Sequence, residues 1–504
     1  MSNANTTSAR TTSARSVSGA RGRLGNPLVR TAVLAGILSS VSALAHADGA
    51  KTPDKTPDGS LTMYGITLYG TVDIGYQYQS HGTPVSDYFP AGTAEPIQKN
   101  SNHSVSAIVG NNLSQSKIGV QGREEVGDGW AGVFKLEAFF NPWSGHISDA
   151  LKSLTQNNGV ALASQVTGVD SSIAGQFFGG AAYGGISHKD YGTLTFGRQN
   201  GHLADGIAKY DPMGASQAFS LVGFSGTWAG AGDTEDRRLD ASAKYDVTYQ
   251  QLHFGAQFQG KSSSNPGTSA EFVLGMSFPG GSVDAYYVKK NDAISAGSLS
   301  AAQVTTLNCP YVATAANCPQ NVKATVGGGG NALDKSLSGT ISDNSVFSIM
   351  GKYAFLDNKA TAFAGYEHIN YKNPSNLVAG GQNIIGGYVL AYTNNAAFPS
   401  TKTLQLEWVG LKYQFDPKWN LTGAFYHFDQ NSYAVGANAG CSSATVSGQC
   451  SGDYYVVSFV GTYRFTKRFD VYAGAMYSDV KGGLANGYLY TSTIDPTLGV
   501  RYTF

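Results

Sequence analysis

Charged side chains are scarce in this chain of 504 residues. Asp, Glu, Lys and Arg together make up 13% of it, about half of the roughly 25% found in ordinary soluble proteins. The 34 basic and 34 acidic residues balance, so no basic excess points to a nucleic-acid partner. The mean hydropathy of −0.17 excludes a protein built from many apolar helices. Low charge combined with 64 Gly, 29 Tyr and 24 Phe fits a membrane-spanning sheet better than a soluble enzyme.

Sequence motifs of the common enzyme classes are also absent. There is no HExxH metal motif and no nucleophile elbow, and Gly327–Gly330 lacks the Lys-Ser or Lys-Thr that completes a phosphate-binding loop. The nine His residues are scattered, and no CxxC pair has the spacing of a zinc site. We therefore expect neither an enzyme nor a bound cofactor.

Cysteine is limited to four residues. Cys309 and Cys318 enclose eight residues, and Cys441 and Cys450 also enclose eight. Both pairs lie in loop-like sequence. An even number of Cys in an exported chain predicts two local disulfides, although the sequence leaves other pairings open.

The N-terminus carries an export signal. An apolar segment at residues 31–41 follows five Arg and precedes the small-x-small sequence Ala45-His46-Ala47. This pattern predicts a cleaved signal peptide over residues 1–47. A membrane anchor is the alternative, but the apolar core is too short to cross a bilayer. Cleavage removes five Arg and no acid, which shifts the net charge from 0 to −5. Residues 48–60 then form a polar leader before a single domain at 61–504.

Apolar and polar residues alternate in one segment of this domain after another. Ile66 and Leu68 share one parity, while Thr67 and Thr71 share the other. A period of two is that of a β-strand with one apolar and one polar face. The pattern recurs in seven hairpins and in a closing strand at 497–504, which gives sixteen strands in all.

Short turns and long loops alternate along the chain. Aromatic residues flank the turns, at Phe355, Phe415, Trp419, Phe465 and Phe469. Such residues are typical of strand ends at a membrane interface. An even number of strands lets the first and the last pair, so that no sheet edge remains. The sequence therefore predicts an all-β protein, a 16-stranded antiparallel transmembrane β-barrel.

The closing strand ends in Phe504, with Val500 and Tyr502 on the same parity. Short segments precede it in a fixed order: LYGTVD at 68–73, SKIGVQG at 116–122, FGRQ at 196–199 and YDP at 210–212. In their order and spacing they resemble the trimeric general porins of Gram-negative bacteria. The resemblance implies a homotrimer in the outer membrane that contacts lipids and lipopolysaccharide and presents Phe504 to the barrel assembly machinery.

The resemblance also implies that the third long loop, about residues 200–237, folds into the lumen. There it would present acids opposite a ladder of basic residues. The candidate basic residues of the constriction are Lys117, Arg123, Arg198, Arg237 and Arg238. The candidate acids are Asp205, Asp211, Asp233, Glu235 and Asp236.

Several of these assignments have alternatives. Arg198 shares parity with Leu194 and Phe196, so strict alternation points it at lipid unless a bulge or the departing loop turns it inward. Asp211, in Tyr-Asp-Pro, can instead be a turn residue that binds backbone amides. The three acids between 233 and 236 can be solvated loop residues.

We expect a porin through which small hydrophilic solutes and ions diffuse passively across the outer membrane. A substrate-specific channel is one alternative, because the long loops are rich in Gly, Ala and Ser and could form a lid. A surface adhesin or phage receptor is another, with disulfide-pinned loops as its binding surface.

Overall fold

The alternation seen in the sequence separates two chemically different faces of one closed sheet. On the first long strand, Thr71, Asp73 and Gln77 face inward and are buried, whereas Ile66 and Tyr76 face outward and are exposed. The computed structural model describes residues 61–82, 103–147, 177–222, 238–261, 267–292, 294–296, 339–341, 343–373, 375, 384–385, 388–389, 398–486 and 490–504. The predicted signal peptide, the polar leader and the Cys309 and Cys318 pair lie outside these ranges.

Sixteen strands cross the barrel wall, as the alternation predicted. They are β1 (Ile66–Gly82), β2 (two segments, His103–Gly110 and Lys117–Gly127), β3 (Trp130–Phe139), β4 (Ala181–His188), β5 (Gly192–Asn200), β6 (Arg238–Tyr249), β7 (Leu252–Gln259), β8 (Thr268–Phe278), β9 (Gly281–Asn291), β10 (Asp343–Phe355), β11 (Ala360–Lys372), β12 (Lys402–Gln414), β13 (Trp419–Gln430), β14 (Gly452–Arg464), β15 (Phe469–Val480) and β16 (Ser492–Thr503).

Every strand pairs antiparallel with its neighbours, and β1 pairs with β16 to close the barrel. In that closing pair Ile74 lies opposite Val500, and Gly75 lies opposite Gly499. Closure matters because an unpaired backbone group has no water to bind inside a bilayer. The C-terminal residue extends the closure, since the backbone N and O of Phe504 both bond to Gly70.

Strand β2 differs from the sequence prediction. The polar, loop-like sequence of residues 80–112 predicts a loop, but His103–Gly110 is a strand that pairs with the part of β1 farther from the short turns, for example Ala107 with Gln77. The prediction was wrong there because Ser104 and Ser106 occupy outward-facing positions that would otherwise be apolar. The strand then breaks at 111–116 and resumes at Lys117, which pairs with Thr71. Residues 111–116 face the lumen, and we refer to them as the bracket.

Tight turns close one end of the barrel. Asp128 and Gly129 both have positive φ, of 52° and 81°, a conformation that two-residue hairpins require and that Gly adopts at no cost. The aromatic side chains predicted to flank these turns are largely exposed on the outer surface, at Phe355, Phe415, Trp419 and Phe465. This end therefore carries the aromatic belt expected at a membrane interface.

Smaller elements lie at the other end. Two 3-10 helices, Gly436–Asn438 and Gly482–Ala485, follow β13 and β15. The Cys441–Cys450 disulfide predicted from the sequence is formed in the loop between β13 and β14. Two pairs of short strands lie outside the barrel sheet, namely Ile294–Ala296 with Gly339–Ile341 and Ile384–Ile385 with Tyr388–Val389. The short strand Leu61–Met63 belongs to the barrel sheet and pairs with the start of β1 at the short-turn end. Within the described residues, no helix is both long enough and apolar enough to cross a bilayer.

The main apolar core lies inside the barrel. Strands β10 to β15 turn apolar side chains inward, and these are fully buried: Val346, Ile369, Leu404, Leu406, Phe428 and Val456. Loop residues cover them, among them Phe219 of the third long loop and Tyr433 and Leu484 of the later loops. Away from the short turns, this side of the lumen is therefore filled by packed protein rather than by water.

Phe425 tests the assignment of the two faces. It lies near the middle of β13 and faces outward. We expect Phe425→Arg to lower the free energy of unfolding by about 2–4 kcal/mol, because an Arg near the bilayer midplane loses its hydration. The measurement is urea-induced unfolding from lipid vesicles.

The control for this test is Val133→Arg, at an inward-facing position that borders a cavity between β2 and β5. We expect this variant to stay close to wild type, since water is available on that side. Equal losses for both variants would contradict the assignment of faces.

Candidate constriction site

The third long loop begins with a short helix that lies against the inner wall. Helix α1 (His202–Tyr210) follows β5 directly, and its buried residues recur at helical spacing: Leu203, Gly206, Ile207 and Tyr210. Gly206 packs against the ring of Tyr286 on β9, where a Cβ atom would lie 2.4 Å from the hydroxyl. The helix therefore needs its small residue where it touches the wall.

Both ends of α1 are bound by side chains of the wall. The backbone N of Leu203 donates to Glu271 on β8 at 3.2 Å, which places a carboxylate at the N-terminal end of the helix. At the other end the hydroxyl of Tyr210 donates to Ser282 at 2.9 Å, and Trp408 donates to the carbonyl of Tyr210 at 3.2 Å. These contacts fix the direction in which the chain leaves the helix.

Asp211 fastens the turn that follows the helix. Its carboxylate accepts hydrogen bonds from the backbone N of Met213 (3.2 Å) and of Ala215 (2.7 Å), and from the hydroxyl of Tyr426 on β13 (2.6 Å). The side chain is buried, and burial raises the pKa of Asp211 despite these hydrogen bonds. The geometry is that of a structural turn residue bonded to the wall.

The described part of the loop reaches the bracket in β2. The backbone N of Ala218 donates to the carbonyl of Asn112 at 2.9 Å, and Gln217 donates to Gln115 at 2.9 Å. The bracket is itself held by Asp73 on β1, which accepts from the backbone N of Leu113 and of Ser114, each at 2.8 Å. The loop thus follows the inner wall from β7 to β2.

Next to the bracket, a charged cluster lies on β2 and β3. Glu137 is almost fully buried, with Lys117 at 3.3 Å, Lys135 at 3.7 Å and the hydroxyl of Tyr69 at 2.9 Å. Nearby, the guanidinium of Arg238 lies 4.7 Å from the centroid of the Phe139 ring. The two Lys cations are balanced in part by a single carboxylate between them.

A second pair lies where the loop leaves the wall. The carboxylate of Asp205, in the first turn of α1, is 2.6 Å from the ammonium of Lys244 on β6 and accepts from Asn200 at 2.7 Å. Burial alone would raise the pKa of Asp205, but Lys244 and the hydrogen bonds outweigh it and lower the pKa. Burial, with the charge of Lys244, lowers the pKa of His202 to about 3, so this imidazole is neutral at ordinary pH.

Both charged groups border one cavity of about 200 Å³. Its lining comprises Lys135, Glu137, Gly180, Ala181, Tyr183, Thr193, Thr195, Gln199, Asn200, Asp205, Lys244 and Asp246. Nearly all of these side chains are polar. Such a lining holds water and dissolved ions rather than an apolar ligand.

A closed sixteen-stranded barrel with a loop fastened inside it has a known counterpart. A family model described as Gram-negative porin matches residues 31–483, which is most of the chain. The chain belongs to the Gram-negative porin family. It is therefore a protein of the outer membrane.

Individual porins show how far the similarity extends. An outer membrane porin protein of Bordetella pertussis (strain Tohama I) is 26% identical over 191 residues, which are 38% of this chain and only 41% of that protein. An anion-selective porin from Comamonas acidovorans has a TM-score of 0.52 at 13% identity and covers 87% of this chain and 99% of its own. The trimer form of in-vitro folded OmpT from Vibrio cholerae has a TM-score of 0.51 at 14% identity and covers 87% and 99%. At these identities the two structures support the fold alone.

The porin brings some of the predicted constriction residues together. Lys117 lies beside the Glu137 cluster, Asp205 borders the cavity, and Arg238 donates to the carbonyl of Gly180 at 3.2 Å. Arg123 lies near the short-turn end, paired with Glu125 at 2.7 Å. Arg237, Asp233, Glu235 and Asp236 lie outside the described residues.

Arg198 occupies a different environment. It shares the outward parity of Leu194 and Phe196, yet it is only 8% exposed. Its guanidinium donates to the carbonyl of Gly179 and pairs with Asp240. The strand register shifts at this point, as a bulge requires, but the side chain is not among those that line the cavity.

Sequence reasoning missed Lys135, Glu137 and Lys244 as site residues. A signal for the first two was present, because they share the polar parity of β3, where Lys135 lies opposite Gln121 in the hairpin. Lys244 shares the inward parity of Ser242 on β6. What the sequence could not supply was their distance from Asp205 and Lys117.

Asp211→Ala tests how the loop is fastened. The change leaves two backbone N–H groups and the Tyr426 hydroxyl without their acceptor, and each buried unpaired donor costs about 1–3 kcal/mol. We expect the loop to detach transiently, seen as frequent partial closures in single-channel recordings. Tyr426→Phe, which removes one donor and leaves the carboxylate bonded to the loop, should record almost as steadily as wild type. A quiet Asp211→Ala channel would show that the loop is held elsewhere.

Proposed function

We propose that the protein forms a water-filled channel through which small hydrophilic solutes and ions cross the outer membrane by passive diffusion. The observation that carries this proposal is the polar cavity of about 200 Å³ between the wall and the start of the third loop. Membership of the porin family supports it. A closed wall leaves the lumen as the path for solutes.

The charges beside the cavity suit a constriction. Lys117, Lys135 and Glu137 lie on one wall, and Asp205 and Lys244 lie where the loop departs. Fixed charges within a low-dielectric wall create local fields that favour ions and dipolar solutes over apolar ones. We assign the constriction to these five residues, with Arg238 close to Glu137 as a sixth.

The proposal includes a homotrimer and three partners, which are outer-membrane lipids, lipopolysaccharide and the barrel assembly machinery. A homotrimer is supported by the structural similarity to the trimer form of OmpT. Contacts with outer-membrane lipids and lipopolysaccharide would involve the exposed apolar outer face. The C-terminal Phe504 would be presented to the barrel assembly machinery before its strand pairs with β1.

Planar-bilayer recording tests the channel itself. We expect the full mature chain, folded in detergent and added to a bilayer, to give stepwise increases of conductance, because each inserted barrel adds an aqueous path. Heat-denatured protein from the same preparation is the control. Insertion without any conductance would refute the proposed function and would favour a receptor or adhesin that uses the external loops.

Charge removal at Asp205 and Lys244 tests the constriction. We expect Asp205→Asn to raise and Lys244→Gln to lower the ratio of anion to cation permeability, each by up to about fivefold, since two charges 4 Å apart in water interact by about 1 kcal/mol. The double variant should return close to wild type. Unchanged ratios in both single variants would remove this pair from the constriction.

The same pair predicts a pH dependence. The pKa of Asp205 in the folded state lies below its usual value of 3.8. The interaction is therefore fully present above pH 3.8 and is lost as the pH falls through the lower, folded-state value. We expect the difference in permeability ratio between wild type and Asp205→Asn to persist at pH 5 and to vanish once the pH falls below the folded-state pKa of Asp205. A difference that is already lost at pH 5 would contradict the pairing.

A further inference from the structure

Four basic side chains form a row inside the barrel near its short-turn end. They are Lys352 on β10, Lys412 on β12, Arg464 on β14 and Arg501 on β16. They lie on every second strand, and each is within four residues of the last residue of its strand. We refer to these four residues as the cation row.

The strand register places the row on the inner face. Lys412 lies opposite Thr361 on one side and Thr422 on the other, and it shares the parity of Trp408, whose side chain is buried in the lumen. Arg464 lies opposite Asp470, and Asp470 in turn lies opposite Arg501. The electrostatic surroundings of Lys412 include the other three members of the row. These side chains therefore act on a common volume of the lumen.

The row is poorly compensated. Arg501 pairs with Asp470 at 2.9 Å and donates to Ser114 at 2.7 Å. Lys352 donates to the carbonyl of Lys209 at 3.4 Å, and its ammonium lies 5.9 Å from the centroid of the Tyr210 ring. In the part of the chain that the structure describes, Lys352, Lys412 and Arg464 form no ion pair. Arg464 is exposed and Lys412 is half-buried, so both reach water in the lumen.

The Lys residues at the constriction, by contrast, have acidic partners. Lys117 and Lys135 share Glu137, and Lys244 binds Asp205. A paired cation presents little net field to a passing ion, whereas a row of like charges in a low-dielectric wall concentrates counter-ions. The larger part of the uncompensated positive charge therefore lies on the short-turn side of the third loop, which faces the periplasm in barrels of this class.

We propose that the channel prefers small anions, and that the cation row sets this preference rather than the paired charges of the constriction. The inference rests on the proposed function, since it concerns solutes that are already inside the channel. Inorganic anions and small carboxylates would be enriched at the row and would leave it rapidly, because the site is open to water. The constriction would then limit size, and the row would select charge.

Reversal potentials in a tenfold KCl gradient test the proposal with the full mature protein. We expect wild type to favour chloride over potassium. Lys412→Gln combined with Arg464→Gln should lower the ratio of chloride to potassium permeability by about fivefold or more, because each removed charge weakens the attraction by about 1 kcal/mol at contact distance in water. Lys412→Arg combined with Arg464→Lys keeps the charges and should keep the ratio.

A matched control removes two charges from the same end of the barrel but outside the lumen. Lys359 and Lys467 are exposed in the turns before β11 and β15. Lys359→Gln with Lys467→Gln should leave the ratio close to wild type, because water screens surface charges over roughly 10 Å. An equal effect of this control would mean that overall charge, rather than the row, sets the preference, and would overturn the inference.

The outcomes separate the two proposals. Absence of conductance in wild type refutes the channel itself. A conducting wild type that prefers cations, or a Gln double variant with an unchanged ratio, refutes the cation row alone. The single variants Lys412→Gln and Arg464→Gln, each expected to give an intermediate ratio, decide the matter if the double variant does not fold.

Discussion

The structure depends on the requirement that every backbone amide within a bilayer be paired inside the protein. Strand β16 meets this requirement for β1, with Ile74 opposite Val500, and the bonds of Phe504 to Gly70 extend it to the last residue. A wall closed in this way leaves no lateral opening. Anything that shapes the permeation path must therefore come from side chains that face inward or from a loop that enters at one end.

The third loop is held by contacts that differ along its length. Polar groups bind it where it starts and where it turns, through Glu271 and Asp211, and the bracket in β2 binds its far part through Asn112. Directly after the contact with Asn112, apolar residues such as Phe219 and Leu221 are completely buried. Directional bonds set the position of the loop, and burial of apolar surface supplies the larger part of its attachment.

The sequence was sufficient for the strands, because two-residue alternation and tight turns are local properties. It failed at His103–Gly110, where small residues hide the alternation, and it could not show that Arg198 is held by Gly179. The path of the loop was equally inaccessible, since Asp211 and Tyr426 are 215 residues apart in the chain. Inward parity identifies cations such as Lys412, but only three-dimensional distances show which of them have an acid beside them.

The barrel has two separate hydrophobic surfaces. One is the outer face of the wall, and the other is the buried apolar layer inside β10 to β15. The outer face is matched to lipid, whereas Leu404, Phe428 and their neighbours are packed as in the interior of a water-soluble protein. Detachment of the loop would expose that layer to water while the strands stayed in the membrane. The accompanying heat-capacity increase would be that of a small globular domain melting, and cooling would weaken the attachment just as it weakens a soluble core.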